Sequence, residues 1–100
     1  MTFQQAAQGP FVIRLEGVFD GGAARRLESL LADASPDARV AIDLTQVREF
    51  HDYGIAVLGH ALLESPAKVT VRGLRHHHVR VLRYFGVDAG ALEAAVAPGT

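Results

Sequence analysis

The sequence predicts an α/β domain with a one-sided β/α winding: a mostly parallel sheet of four to five strands, an antiparallel N-terminal edge strand, and helices on one face. The expected element order, β-β-α-β-α-β-α-α, implies right-handed crossovers between parallel strands. The three long strands alternate apolar and polar residues, whereas parallel strands covered on both faces are continuous apolar runs. One face of the sheet is therefore expected to be wet, which argues against a doubly wound sheet.

Three strands are predicted over residues 11–19, 39–44 and 68–72, because each shows the alternation typical of a half-buried strand. Gly9-Pro10 marks a turn before the first of them, so residues 3–7 are expected to form the antiparallel edge. The side chains expected on the wet face are Arg14, Glu16, Ala41, Asp43, Lys68, Thr70 and Arg72.

Two helices are predicted where apolar residues recur at helical spacing, over residues 23–34 and from Tyr53 to Glu64. The second helix is apolar nearly all round. Such a helix is either deeply buried or presents one face to a partner.

A third helix is predicted from His76 to Phe85, ended by Gly86. Asp88 is expected to cap a short final helix. The inward residues of these two helices are expected to be Val79, Val81, Leu82 and Phe85 in the third, and Leu92 and Val96 in the final one.

Composition limits the function classes. One hundred residues make one domain, residues 1–100, and 49% hydrophobic residues are enough for a core. A formal net charge of −1 predicts no general affinity for nucleic acid or for an anionic membrane. The chain has no Cys, which excludes disulfides and thiolate zinc sites. It shows neither a signal-peptide pattern nor an apolar run of roughly 18 residues, so a cytoplasmic location is expected.

Chemistry in a parallel α/β sheet gathers beyond the carboxyl ends of the strands. The segments expected there are 20–22, 45–53 and 73–78, and we call this end of the domain the rim. They bring together Asp20, His51, Asp52 and the run His76-His77-His78. Asp52 precedes an apolar helical run, so it is a candidate N-cap of the second helix.

Four segments follow one another in a characteristic order and spacing: Gly17-Val-Phe-Asp20, Val40-Ala-Ile-Asp-Leu44, the run from Val47 to Leu58, and Val79-Arg-Val-Leu-Arg-Tyr-Phe-Gly-Val-Asp88. Together they resemble the STAS domain, which is found in bacterial anti-sigma factor antagonists, stressosome proteins and sulfate-transporter tails. The resemblance covers about residues 10–88. It implies a one-sided β/α winding and a non-catalytic, regulatory protein-interaction module of the anti-sigma antagonist type.

The resembled family commonly has Asp-Ser-Ser-Gly or Asp-Ser-Thr-Gly at the start of its second helix, and a partner kinase phosphorylates the first hydroxyl residue. Gly54 matches the motif glycine, which places Tyr53 at the second hydroxyl, Asp52 at the phospho-acceptor and His51 at the motif Asp. Two interpretations follow. Asp52 is a constant charge that imitates the phosphorylated state, or it is only a helix cap. Nearby Thr45 does not match the acceptor position either.

The resemblance also implies partners and contact residues. The expected partner is an anti-sigma factor and Ser/Thr kinase of the GHKL type, another STAS protein, or a second copy of this chain. The contact residues it implies at the rim are Asp20, His51, Tyr53, Gly54 and Ile55. For Asp20 the alternative is that it simply caps the first helix.

The histidines allow a second function class, a small-ligand, metal-sensing or pH-sensing domain. Imidazole and carboxylate groups suit zinc or nickel, and the candidate ligands are His51, His76, His77 and His78. Consecutive helical residues point about 100° apart, so at most two of the three converge. The favoured interpretation is solvated residues at a helix N-terminus, with no metal and no cofactor. His60 is expected to be a partly buried or interface residue.

Enzyme classes find little support in the sequence. A phosphorelay receiver needs five βα units and paired acids after the first strand, and this chain offers only Asp20 there. The chain also lacks the nucleophile-elbow sequence of a hydrolase. We therefore expect a protein that is not an enzyme.

Overall fold

The computed structural model describes residues 2–5 and 11–94, in which five strands and three α-helices follow one another. The strands are β1 (Thr2–Gln5), β2 (Phe11–Phe19), β3 (Arg39–Phe50), β4 (Lys68–Leu74) and β5 (Leu92–Ala94). The helices are α1 (Gly21–Ala32), α2 (Asp52–Glu64) and α3 (His76–Tyr84).

The sheet has the strand order β1-β2-β3-β4-β5. Its centre, β2-β3-β4, is parallel, as the crossovers through α1 and α2 require. The predicted mostly parallel α/β fold class is therefore confirmed. At one edge β1 pairs antiparallel with β2, from Thr2 opposite Arg14 to Gln5 opposite Phe11. The edge strand was expected over residues 3–7, of which residues 6 and 7 lie outside the described residues.

One face of the sheet carries the core. Apolar residues of β2 and β3 on this face are buried, among them Ile13, Leu15, Ile42 and Leu44. Helices α1 and α2 pack against it, with Leu27 and Leu58 fully buried. On the opposite face the described residues Arg14, Glu16, Lys68, Thr70 and Arg72 are exposed. The strand alternation thus predicted correctly which side of the sheet the helices cover.

Strand β3 is longer than predicted. The sequence predicted a strand that ended at Leu44 and a loop from Thr45 to Tyr53, but β3 continues to Phe50. The second half of β2 pairs with this extension, with Glu16 opposite Gln46 and Phe19 opposite Phe50. Two register shifts, one of them next to Gly17, each place an extra residue in β3, so this strand bends while the pairing continues. Backbone pairing therefore extends the strand beyond the region where the side chains alternate.

The predicted final helix is wrong. Ala89–Ala91 form a single 3₁₀ turn, in which the Gly90 amide donates to Asp88 Oδ1 at 3.0 Å, and the strand β5 follows. Leu92 lies opposite Val71 of β4, and both are buried. This apolar pairing favours a strand over a helix. The predicted helix residue Val96 lies outside the described residues.

Helix α3 is rotated relative to the prediction. Leu82 is fully buried as expected, but Val81 and Phe85 are 40% and 47% exposed. His78, one turn before Leu82, is the second buried residue of the helix. Core contact at positions 78 and 82 follows the helical repeat. Gly86 ends α3 with a φ of +100°, as the sequence predicted.

Asp43 is a buried carboxylate on the otherwise wet face. Its Oδ1 accepts hydrogen bonds from the Thr45 amide at 2.9 Å and the Thr45 hydroxyl at 2.6 Å, and its Oδ2 lies 3.4 Å from Arg14 Nε. Burial alone raises the pKa of Asp43, but the Thr45 bonds and the charges of Arg14 and Arg72 outweigh burial and hold it below the usual 3.8. Asp43 is therefore ionised in the folded protein at neutral pH.

Asp43→Asn should lower the free energy of unfolding at pH 7 by about 1 kcal/mol, because it weakens a charge-assisted pair of hydrogen bonds. A carboxylate with a lowered folded pKa stabilises above its unfolded pKa, and this stabilisation disappears as the pH falls through the folded value. The difference from wild type should therefore shrink below pH 3.8. Urea unfolding followed by circular dichroism at pH 7 and pH 3 measures it. Asp37→Asn, in an exposed turn, is the control and should show no such difference.

Gly73 and Gly86 offer a matched pair. Both have a positive φ, +92° and +100°, so Ala at either position costs about 1–2 kcal/mol of backbone strain. A Cβ on Gly86 would lie no closer than 4.0 Å to Leu63, whereas one on Gly73 would lie 2.5 Å from the Leu44 carbonyl carbon. Gly73→Ala should therefore lower the unfolding free energy clearly more than Gly86→Ala, as measured by urea denaturation. Equal losses would contradict the close packing of β4 on β3.

Candidate functional site

The carboxyl ends of β2 and β3 meet at the rim. Phe19 pairs with Phe50, and the His51 amide continues the ladder by donating to the Phe19 carbonyl at 2.9 Å. Asp20 and His51 are therefore neighbours, and α1 and α2 begin side by side directly after them. The sequence predicted this convergence, but it expected a loop of several residues where the structure has only His51.

Asp20 is the N-cap of α1. It has extended backbone angles, and its Oδ1 accepts from the Ala23 amide at 2.9 Å. This hydrogen bond holds the pKa of Asp20 below its usual 3.8, and His51 acts in the same direction. The capping interpretation of Asp20 is confirmed. Because the side chain is exposed, capping leaves its outer edge open to solvent.

Asp52 is not the N-cap of α2, contrary to the prediction. The N-cap position is His51, with φ −98° and ψ 138°, and it makes no side-chain capping bond. The reason is the sheet, since the bond to Phe19 holds His51 extended and the helix starts one residue later. Asp52 is the first helical residue, and its side chain is exposed. A carboxylate in the first turn is still favoured by the helix dipole.

Gly54 and Ile55 lie beneath the rim surface. A Cβ on Gly54 would lie 2.9 Å from the carbonyl carbon and oxygen of Asp20, so the absence of a side chain lets α2 rest on the backbone at the end of β2. Ile55 is only 2% exposed and belongs to the core. Both residues therefore shape the surface from below and contribute no exposed side chain to it.

Tyr53 is an exposed aromatic side chain of the rim, at 58%. Its hydroxyl accepts a hydrogen bond from Arg25 Nη2, and the Arg25 guanidinium carbon lies 5.7 Å from its ring centroid. The ring lies over Gly21 at the start of α1. Arg25 was not among the candidate residues that the sequence indicated. Only tertiary packing reveals that it holds Tyr53.

The three consecutive histidines differ in their exposure. His76 and His77 line a cavity of about 450 Å³ together with Arg75 and Phe50. His78 is 3% exposed, so the prediction of three solvated histidines is wrong for this one. His51 is bound to Glu49, with 2.6 Å between Nε2 and Oε2. Across residues 2–5 and 11–94, no three His, Asp or Glu side chains lie together as metal ligands.

His78 occupies an aromatic niche. Its ring centroid lies 4.7 Å from that of Phe50 and 3.9 Å from that of His77. Its Nδ1 is buried and has no hydrogen-bond partner among the described residues. Burial lowers the pKa of His78 below 6.5, the charges of His77 and Arg75 lower it further, and only Asp52 raises it.

Helix α2 has both a buried side and an exposed one. Leu58 and Ala61 lie in the core, as does Ile55. The outer stripe of α2, which we define as Tyr53, Ala56, His60 and Leu63, is exposed. Leu63 is 51% exposed, and Phe85 of α3 joins it in a groove of about 320 Å³. His60 lies 3.3 Å from Glu28 of α1, measured from Nδ1 to Oε2.

Comparison with known protein families shows which family this chain belongs to. A sequence model of the family described as "Mlab, STAS domain" matches residues 2–95. The chain belongs to the STAS domain family. A search of curated proteins gives no match. The resemblance seen in the sequence is therefore confirmed at the level of the family.

Solved structures agree on the fold. A sulfate transporter family protein from Wolinella succinogenes is similar with a TM-score of 0.58 and 14% identity, over 82% of this chain and 74% of the other. The STAS domain of a SulP transporter from Vibrio cholerae is similar with a TM-score of 0.55 and 20% identity, over 82% and 70%. At these identities the likeness shows the fold alone. In the described part of this STAS domain, no helix is long and apolar enough to cross a bilayer.

Gly21→Ala should displace the Tyr53 ring, because the new Cβ would lie 2.5 Å from Tyr53 Cδ2. The ring can swing outward, so we expect an unfolding free energy within about 1 kcal/mol of wild type. The loss of the Arg25 contact should change the NMR shifts of the Tyr53 ring protons and of Arg25. Gly22→Ala is the matched control, since its Cβ would meet nothing closer than Asp20 Oδ1 at 3.4 Å. Identical Tyr53 shifts in both variants would contradict the packing.

Proposed function

We propose that this STAS domain is a non-catalytic module of the anti-sigma antagonist type, which acts in the cytoplasm by binding a partner protein. Its contact surface is the rim residues Asp20, His51, Asp52 and Tyr53 together with the outer stripe of α2. The observation that carries the proposal is the exposed apolar character of that stripe. An exposed helix face with Tyr53 and Leu63 on it is typical of a protein interaction site.

The fixed position of the Tyr53 side chain supports its role in the proposed contact surface. Tyr and Arg are enriched at the energetic centres of protein interfaces. Here Arg25 holds Tyr53 in place before any partner arrives. A side chain that is already ordered loses less conformational entropy on binding. The pair is therefore suited to act as an anchor at the end of the outer stripe.

Asp52 gives the surface a permanent charge. It occupies the position that matches the phospho-acceptor of the family motif, and it is exposed in the first turn of α2. A carboxylate supplies one negative charge, against nearly two for a phosphate. The proposed consequence is a module held in the state that relatives reach by phosphorylation. A kinase that binds the uncharged state would then be repelled, and a partner that tolerates the charge would remain bound.

The partner class follows from the family resemblance. We propose a GHKL-type anti-sigma factor kinase, another STAS protein, or a second copy of this chain. The similar solved structures carry names of sulfate transporters, so a transporter polypeptide is a further outcome that a capture experiment must distinguish. Neither nucleic acid nor a lipid surface is proposed as a partner.

Capture from the native host with wild type, Asp52→Ser and Asp52→Ala tests the role of the charge. Asp52→Ser should retain a kinase-like partner, identified by mass spectrometry, that the wild type does not retain. The physical reason is that the serine removes the repulsive charge. Identical partner sets for all three proteins would refute the phosphate imitation and leave Asp52 as a favourable first-turn charge.

A paired substitution tests the contact surface itself. Leu63→Glu should reduce the amount of every captured partner at least about tenfold, because it places a charge in the apolar groove beside Phe85. Leu30→Glu is the matched control, since Leu30 is also exposed, at 37%, but lies on α1. Circular dichroism must show both variants folded. Equal capture by the two variants would exclude the outer stripe as the contact.

A further inference from the structure

Within residues 11–88 and 90–92, His78 and Asp43 are the two side chains that can carry a charge and are buried. Asp43 accepts hydrogen bonds from the Thr45 amide and hydroxyl and lies beside the Arg14 guanidinium. By contrast, Nδ1 of His78 has no partner among the described residues. A buried polar atom without a partner is rare in folded proteins and calls for an explanation.

The niche around His78 suits a neutral ring. The ring contacts the rings of Phe50 from β3 and His77 from α3, at centroid distances of 4.7 and 3.9 Å. A neutral imidazole keeps one nitrogen without a hydrogen, which can remain unpaired at a modest cost. A protonated imidazole carries N–H groups on both nitrogens, and the one on Nδ1 would be buried without an acceptor.

The surrounding charges act mostly in the same direction. Arg75 and His77, from the start of α3, oppose a positive charge on His78. Asp52, from the first turn of α2, favours it. The residue that β3 contributes, Phe50, is uncharged. Burial and the two basic neighbours together therefore outweigh the single acid.

We propose that His78 is an acid-sensitive latch, which holds the first turn of α3 on β3 while its ring is neutral and releases that turn when the ring is protonated. Arg75, His76 and His77 move with the turn, because they lie next to His78 in the chain. These residues line the 450 Å³ cavity with Phe50, so release would open this part of the rim. The inference stands on the niche and does not depend on the proposed partner.

The direction of the pH dependence follows from the lowered pKa of His78. A released or unfolded ring binds a proton at its ordinary pKa of 6.5, and the latched ring binds it only at lower pH. Stability of the latched state therefore begins to fall below about pH 6.5 and stops falling below the latched pKa. The carboxylates Asp20 and Asp43, with pKa values below 3.8, act at more acidic pH.

NMR titration of the wild-type protein between pH 7.5 and 4.5 tests the latch without any substitution. The ring protons of His78 should titrate below pH 6.5. The backbone amides of residues 76–79 should shift or broaden with the same midpoint. Titration of His78 at or above pH 6.5, or ring protonation that leaves these amides unchanged, would overturn the proposal.

Thermal unfolding of two variants provides a second test. His78→Phe keeps an aromatic ring on Phe50 but cannot be protonated, whereas His76→Gln removes an exposed histidine from the same helix turn. Between pH 7.5 and 5, wild type and His76→Gln should lose more in melting temperature than His78→Phe, because only they keep a buried imidazole that can be protonated. The same loss in all three proteins would refute the latch. If His78→Phe does not fold, the NMR titration alone decides.

Discussion

The hydrogen bond from the His51 amide to the Phe19 carbonyl holds the starts of both large helices next to each other. It extends the β2–β3 ladder to the last residue of each strand, so that Asp20 and His51 lie side by side. Helix α2 can then start at once, because Gly54 lets its first turn rest on the Asp20 backbone. Without this close approach the N-termini of α1 and α2 would separate. Arg25 of α1 would then be too far from Tyr53 of α2 to form the hydrogen bond that links the two helices.

The one-sided architecture explains why a small domain offers so much interaction surface. A helix layer on one face of a sheet has no second layer above it, so the outer side of every helix meets solvent. In α2 this side carries Tyr53 and Leu63, and in α3 it carries Val81, Tyr84 and Phe85, all of them exposed. Family membership and this exposure together make protein binding the function that the domain supports best.

Charged side chains of the rim lie at the N-termini of the three helices. Asp20 and Asp52 lie at the N-termini of α1 and α2, where the dipole favours an anion. At the start of α3 the sequence instead places Arg75 and three histidines, and one of those histidines is buried. Asp52 is the acid that raises the pKa of His78. The first turn of α2 is therefore electrostatically linked to the buried histidine of the neighbouring helix.

Residue alternation by itself determined β2, β4, the first half of β3 and the wet face, because burial on one side of a sheet imposes a period of two that is visible without coordinates. The family was recognised from four segments in their order and spacing. The sequence also predicted that α3 ends at Gly86, since the residue after a helix often has a left-handed conformation that favours glycine. Tertiary structure alone decided the end of β3 at Phe50, the start of α2 at Asp52 and the burial of His78. Each of these depends on a partner distant in sequence: the paired end of β2 for β3, the Phe19 carbonyl for α2, and the ring of Phe50 for His78. Local sequence carries no signal for contacts of that kind.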